Sequence, residues 1–335
     1  MCSTCKLSGR DDEDGTALIT ALVMVAIMSV AAMALLESVR FSTRVSVNVA
    51  ARDQARLYAI GAEQLAAGTI RDLREKGEED RFPALDIWTR TPVEYPIPEG
   101  SIAGRVRDGA NCFNLNSLVV EADGGYIADA KAMREFSRML ALADIPRNEA
   151  DQLGVVIADW IDSDSRPGFG GAEDPFYTSQ RPGYRTPGQL MADMSELKLM
   201  KDMDEQRYER VRPFLCVRPT VEPSVLNINT LQPWQAPLLA VHLGEDIGVD
   251  VVERLLAERP EFGFSSLEEV LAAPSIAGRV KVDSGLESRI ALASSYYDMN
   301  VTVRYREAVI HLTATLQISA SGNITTVSRH YGTLE

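Results

Sequence analysis

The chain opens on one unbroken apolar run. Residues 16–36 read TALITALVMVAIMSVAAMALL, 21 positions without a charge, a Pro or a Gly. Coiled as a helix they would rise about 32 Å, the depth of a bilayer's hydrocarbon core. Charged residues then enter at helical spacing, at Glu37, Arg40, Arg44, Arg52, Asp53, Arg56 and Glu63, and the pattern holds to about Arg74. It predicts a membrane helix that is retained and runs on as an amphipathic helix. A secretory signal would stop after about 7–15 apolar residues at a small-residue cleavage site. A core helix would rarely stay apolar on every side for so long.

Beyond this helix the periodicity changes twice. Residues 75–100 are rich in charge, Pro and Gly and read as a connector, and 101–107 alternate as a short strand with Ile102 and Val106 on one side. Residues 109–119 form a turn into a structured region. Helical spacing follows over 128–142, 148–161, 191–200 and 205–214. A second helical unit starts at LNINT (226–230), with helices over 233–242, 249–258 and 266–273. The chain then alternates with period two over 296–305, 308–320 and 323–331, and SASGN (319–323) supplies a turn. The strand at 101–107 has no neighbour close in sequence, so it is expected to pair with these C-terminal strands. The fold class is α+β: a long N-terminal membrane helix, a small antiparallel sheet, and a large helical domain inserted into it.

Composition narrows the function. The 335 residues hold 34 Lys plus Arg against 48 Asp plus Glu, a net charge of −14. A sequence-independent grip on nucleic acid needs the opposite sign. His242, His311 and His330 are the only histidines, which all but excludes a His-rich metal centre. Phosphate-binding glycine loops, G-x-S-x-G and H-E-x-x-H are absent from the sequence, which favours a non-enzyme. The stretch from VLNINTL onward resembles a helix-hairpin-helix, often a binder of DNA backbones. Yet residues 225–279 hold eight acids and three Arg, with Glu245 and Asp246 in the hairpin itself. Packing or protein binding is the better reading.

The densest polar constellation is ADWIDSDSRPGFGGAEDPFY (158–177), which offers Asp159, Asp162, Asp164, Glu173 and Asp174. Gly and Pro between them let the loop fold back, so that several oxygens can converge. A hard cation such as calcium takes about six to eight oxygens. The spacing is not that of an EF-hand, because Arg166 stands where a third ligand belongs and Pro167 where Gly belongs. Helix caps and turns on a solvated loop, or a hydrolytic carboxylate pair, are the competing readings. Cys112 and Cys216 lie beyond the membrane helix. If that side is oxidising they can form a disulfide, worth about 2–4 kcal/mol; two free buried thiols are the alternative. Cys2 and Cys5 form a C-x-x-C in the leader and are assigned no role in the mature chain.

A short polar leader, Gly15 and an uncharged helix resemble the type IV pilin-like signal, in which a prepilin peptidase cuts after the Gly. Cleavage here would leave Thr16 as the N-terminus, where the family's N-methylation would fall. Two features depart from the pilin pattern. Asp11, Asp12, Glu13 and Asp14 precede Gly15 where pilins carry Lys or Arg, and Thr20 stands where most pilins carry a Glu that pairs with a neighbouring subunit's amine. Further on, GANCFNLNSL, DWIDSD, PGFGGAED, RPGYRTPGQL, SELKLM and VEPSVLNINTL occur in this order. With the Gly15 signal they resemble the minor pseudopilin K family (GspK) of type II secretion systems over nearly the whole chain.

The resemblance implies a leader over 1–15, a transmembrane helix over 16–36, and a pilin-like helix and first strand over 37–110. It implies a first helical, SAM-like domain with the acidic loop over 111–219, a second over 220–290, and a C-terminal sheet over 291–335. A subunit with Thr20 in place of the Glu suits the tip of a filament. The family's structural calcium would fall to Asp159, Asp162, Asp164, Glu173 and Asp174. The implied partners are the I- and J-type minor pseudopilins, the prepilin peptidase and the inner-membrane assembly platform, with an H-type subunit, the secretin and cargo as further candidates. The implied location is the inner membrane, single pass, with the bulk of the chain in the periplasm. Two rival functions are a competence protein binding DNA through 226–273 and a membrane-anchored periplasmic hydrolase built on the acidic loop.

Overall fold

The computed structural model describes residues 11–75, 93–280, 284–319 and 321–332. Cys2, Cys5, Lys6 and Arg10 of the expected leader, and most of the expected connector, lie outside the described residues. Helix α1 (Asp11–Glu75) comes first, followed by β1 (Val93–Ile97) and β2 (Gly100–Asp108). The helical block opens with β3 (Phe113–Asn114), the hairpin β4 (Val119–Ala122) and β5 (Gly125–Ala128), α2 (Ala130–Leu142) and α3 (Arg147–Ile161). Then come α4 (Asp174–Thr178), a 3-10 turn (Met194–Leu199), α5 (Glu205–Val211) and β6 (Leu215–Cys216). Its second half holds β7 (Leu226–Asn227), α6 (Ala236–Leu243), α7 (Val249–Ala257), α8 (Leu267–Ala272), α9 (Ser284–Glu287) and β8 (Ile290–Ala291). Strands β9 (Tyr296–Tyr305), β10 (Ala308–Ile318) and β11 (Ile324–Tyr331) follow.

α1 is continuous over 65 residues, about 98 Å of helix. Residues 16–50 are exposed all round. From Ala51 onward one stripe is buried: Ala51, Ala55, Ala59, Glu63, Ala66, Ala67 and Ile70, spaced by three and four. The small side chains let the helix lie close on the sheet, against Tyr297, Met299, Val301 and Val303 of β9 and Leu312, Ala314 and Leu316 of β10.

The sheet is antiparallel, in the order β1-β2-β9-β10-β11. The expected long-range pairing is present: Ile102 faces Val303 and Val106 faces Met299 across β2 and β9. Residues 109–295 are therefore an insertion between two neighbouring strands. The connector reading of 75–100 is corrected at its end, where β1 forms the edge strand. Pro96 within it is tolerated because an edge strand needs donors on only one side. The hairpin β4–β5 was also not expected. Its turn, Asp123-Gly124, has φ of 49° and 81°, the positive-φ geometry that Asp-Gly favours. The helix expected over 191–200 is a 3-10 turn held by a reciprocal cap of Asp193 and Glu196.

The helical block has one continuous core, built from two halves that begin alike, FNLNSL (113–118) and LNINTL (226–231). Each half opens on a two-residue strand paired in parallel with a closing one, β3 with β6 and β7 with β8. In the first, the Asn116 amide exchanges two hydrogen bonds with the Met191 backbone and donates to Arg218 O. In the second, Asn229 exchanges two with Phe264 and donates to Leu292 O. Two residues after these partners, Asp193 and Ser266 cap the next turns. The halves differ in the path from their second helix to this cap. The second half crosses in residues 258–265, whereas the first takes residues 162–192, and the acidic loop lies there.

A buried polar seam joins block to sheet. Asp108 at the end of β2 accepts from Asn227 Nδ2 at 3.0 Å and from Thr230 Oγ1. Asn111 accepts from Asn227 N at 2.8 Å and donates to Asn227 O at 3.1 Å. Burial pushes the Asp108 carboxyl up in spite of these donors.

Candidate metal centre

The acidic loop starts from a fixed point. Leu153, Val156, Ile157 and Trp160 bury one face of α3, and Asp162 is its C-cap residue. Asp159 lies one turn earlier on the same side. Ser163 then ties the chain to the β4–β5 hairpin: its N–H donates to Tyr126 O at 3.0 Å and its hydroxyl accepts from Tyr126 N at 2.9 Å. Asp164 accepts from Arg166 N at 2.7 Å, which turns the loop. The chain returns through residues 168–172 to Glu173, the N-cap position of α4.

This path brings three of the five expected ligands together. One carboxylate oxygen each from Asp162, Asp164 and Glu173 lies within 4.8 Å of the others. Asp162 and Glu173 are 8% and 2% exposed, while Asp164 opens to solvent. Asp162 Oδ1 and Glu173 Oε1 are buried with no hydrogen-bond partner. A buried carboxylate oxygen without a donor is costly, and a cation held at this cluster would offset that cost. Burial, with Asp164 and Asp159 beside it, pushes the Asp162 carboxyl up to about 6. Burial, with Asp162, Asp159 and Asp164 nearby, pushes Glu173 up to about 7. The donor set fits a hard divalent cation: oxygens only, convergent, and mutually repelling when ionised.

The other two acids are engaged by protein donors. Asp174 accepts from Arg185 Nη1 at 2.8 Å and from Thr186 N at 3.0 Å. Asp159 accepts from Gly168 N and Ala172 N. Sequence reasoning missed Ser163, Thr186 and Lys201, which shape this site. Thr186 Oγ1 shares its one proton between Asp174 Oδ1 at 3.2 Å and Glu173 Oε2 at 3.4 Å, and Lys201 Nζ donates to Gly170 O and Gly171 O. No local pattern marks them, because each acts across a loop.

Cys112 and Cys216 are joined, with an S–S distance of 2.00 Å and a sequence separation of 104. The bond lies beside the β3–β6 pair and decides between the disulfide and two free thiols. In the helix-hairpin-helix-like region, Arg138 of α2 donates to the carbonyls of Gly244, Glu245 and Ile247. That turn is packed against the first half of the block, as a packing module requires.

Among the described residues one helix, at the N-terminal end, is long and apolar enough to cross a membrane, with a window of mean hydropathy 2.6 that is 0% buried. Thr20 returns its hydroxyl to the helix, donating to Thr16 O at 3.1 Å and Ala17 O at 2.9 Å.

Two family profiles described as "Type II secretion system (T2SS), protein K" match residues 111–220 and 226–292. The chain belongs to the type II secretion system protein K family. It is a minor pseudopilin of that apparatus, and DNA uptake is not favoured. Both disulfide cysteines and the acidic loop lie in the first matched region, and the helix-hairpin-helix-like stretch is the second. The protein K of Klebsiella pneumoniae is 32% identical over 78% of this chain and 80% of its own length. That of Pseudomonas aeruginosa is 30% identical over 96% and 94%, and that of Pectobacterium carotovorum 28% identical over 96% and 98%. The fold matches a chain of the GspK-GspI-GspJ complex from enterotoxigenic Escherichia coli with a TM-score of 0.68. That match is 23% identical and covers 84% of this chain and 96% of the other.

Proposed function

We propose that this chain caps the pseudopilus of a type II secretion system. In this reading it is held in the inner membrane by residues 16–36, with the remainder in the periplasm, and the prepilin peptidase cuts after Gly15. Thr20 supports the tip position. Its hydroxyl is satisfied by Thr16 O and Ala17 O of its own helix, so the position asks nothing of a subunit ahead of it. The insertion of residues 109–295 between β2 and β9 gives a bulk that suits an end rather than a repeat. A solved relative is a GspK-GspI-GspJ complex, which supports I- and J-type subunits as the neighbours on which assembly starts. The assembly platform and the secretin or cargo would be met at the two ends of the filament. The role is structural, not enzymatic.

The acidic loop holds calcium in this reading, through the convergent carboxylates of Asp162, Asp164 and Glu173, two of which keep a buried oxygen without a donor. Bound calcium would supply positive charge that cancels the repulsion among them. The chain's own residues then fix the loop: Ser163 on Tyr126, Thr186 on Glu173, and Arg185 on Asp174. Two measurements test the proposal. Mass spectrometry of the mature chain should find Thr16 at the N-terminus; another start removes the pilin argument. Thermal melting with calcium should exceed that with chelator, and an unchanged midpoint removes the ion.

A further inference from the structure

We infer that Asp159 and Lys201 are positioning residues for the carboxylate cluster, clamping the glycine turn 168–172 by its amides and its carbonyls so that Glu173 meets Asp162 and Asp164. The inference rests on the calcium reading above and changes the ligand set expected from sequence.

Asp159 is 4% exposed and both of its carboxylate oxygens accept from backbone amides. Both oxygens accept from Gly168 N at 3.1 Å, and Oδ2 also accepts from Ala172 N at 2.8 Å. Lys201 Nζ donates to the carbonyls of the same turn, Gly170 O at 3.1 Å and Gly171 O at 3.2 Å. Gly171 N closes the turn on Gly168 O at 2.9 Å. An acid thus holds the amides of the turn and a base holds its carbonyls. The fit leaves no room for side chains. A Cβ on Gly171 would fall 1.8 Å from Asp159 Oδ2, and one on Gly168 would fall 2.6 Å from Val155 Cγ1.

Ala172 directly precedes Glu173, so the anchor on its amide sets where the Glu173 side chain begins. The contrast with the convergent acids is chemical. Asp159 spends its lone pairs on backbone donors, whereas Asp162 and Glu173 each keep a buried oxygen with none. Lys201 is a cation and cannot be a ligand, which gives the idea a sign to test. On charge alone, removing Lys201 strengthens the binding of a divalent cation. If it clamps the turn, removing it weakens that binding.

The experiment uses the full chain in detergent, with calcium titrated calorimetrically and melting followed in chelator. Lys201→Met and Asp159→Asn should each bind calcium about 10-fold more weakly, as expected when a group that orients a ligand is lost. Stoichiometry should hold, and the melting midpoint in chelator should fall, since the clamp acts with or without the ion. Lys201→Arg should restore most of the affinity. Asp162→Asn should lose far more affinity while its midpoint in chelator stays or rises, because it removes one of several crowded charges. Lys201→Met binding as tightly as the wild type or more so overturns the inference, as does Asp159→Asn matching Asp162→Asn in both readouts. A wild-type chain that takes up no calcium overturns the ion reading itself, a different result from an intact ion site indifferent to Lys201.

Discussion

Glu63 of α1 and Arg329 of β11 form a two-pronged pair, Arg329 Nε to Glu63 Oε2 at 2.8 Å and Nη2 to Oε1 at 2.7 Å. Glu63 is wholly buried in the alanine stripe that faces the sheet, and Thr326 Oγ1 donates to it at 2.6 Å. Burial alone would raise its pKa. The hydrogen bonds from Arg329 and Thr326, with the guanidinium charge, outweigh burial and hold it below the ordinary value. The pair fixes the rotation of a helix whose other contacts are nearly all alanine.

Glu63→Ala should therefore destabilise the fold by about 2–4 kcal/mol, the cost of leaving partners of a buried pair unmatched. Urea unfolding checks it. The pH dependence has a definite sign. Because the folded value lies below the ordinary 4.5, this contribution is present above pH 4.5 and is lost as the pH falls through the folded value. Glu63→Gln should flatten that part of the stability profile.

Reduction of Cys112–Cys216 should cost about 2–4 kcal/mol, by releasing a long loop in the unfolded chain. The double variant Cys112→Ala, Cys216→Ala should match the reduced wild type in denaturant unfolding and should no longer respond to reductant.

Gly171→Ala should lower stability in chelator by about 1–3 kcal/mol, because the added methyl meets the Asp159 carboxylate and must displace it. Gly278→Ala meets nothing within 4 Å but sits at a φ of 70°, so its cost is backbone strain alone, whereas Gly171 lies outside the left-handed region and its cost is the clash alone. Gly171→Ala alone should also weaken calcium binding.

His242 on α6 predicts an acid sensitivity. Burial, together with Arg289, Lys131 and Arg138, pushes its pKa down to about 3. The unfolded chain protonates this imidazole near the ordinary 6.5 while the folded chain does not, so its effect is to lower stability as pH falls from 6.5 toward 3. His242→Gln should flatten the fall in unfolding midpoint between about pH 6.5 and 5.

Thr20→Leu should leave secretion unchanged, since the native hydroxyl bonds only within its own helix. Thr20→Glu places a carboxylate at membrane depth and should reduce secretion unless a neighbouring amine takes it up. A plate assay for an exported enzyme separates the two outcomes.

Much of this architecture was legible from residue order. The uncharged run at 16–36 and the period-two alternation after Tyr296 are local patterns, and local patterns survive translation into helices and strands. The kinship of the two halves of the block also stands in the text, as FNLNSL and LNINTL. Its meaning, a side-chain amide bridging a distant cap and a closing strand, emerges only once Met191 and Phe264 are brought to Asn116 and Asn229. The edge strand β1 was hidden by Pro96, whose presence argues against a strand everywhere except at an edge.

The sequence by itself determined that this chain has a membrane-length helix, an inserted helical block, a closing sheet and an acid-rich loop with the composition of a cation site. Only the tertiary structure decided which acids share a point in space. Asp159 and Asp162 stand three residues apart and carry the same group, yet one is spent on backbone amides and the other keeps an unpartnered oxygen. That difference is set by the return path of the loop and by Lys201, 42 positions beyond Asp159. Charge and spacing supply candidates; burial and the donors already present select among them.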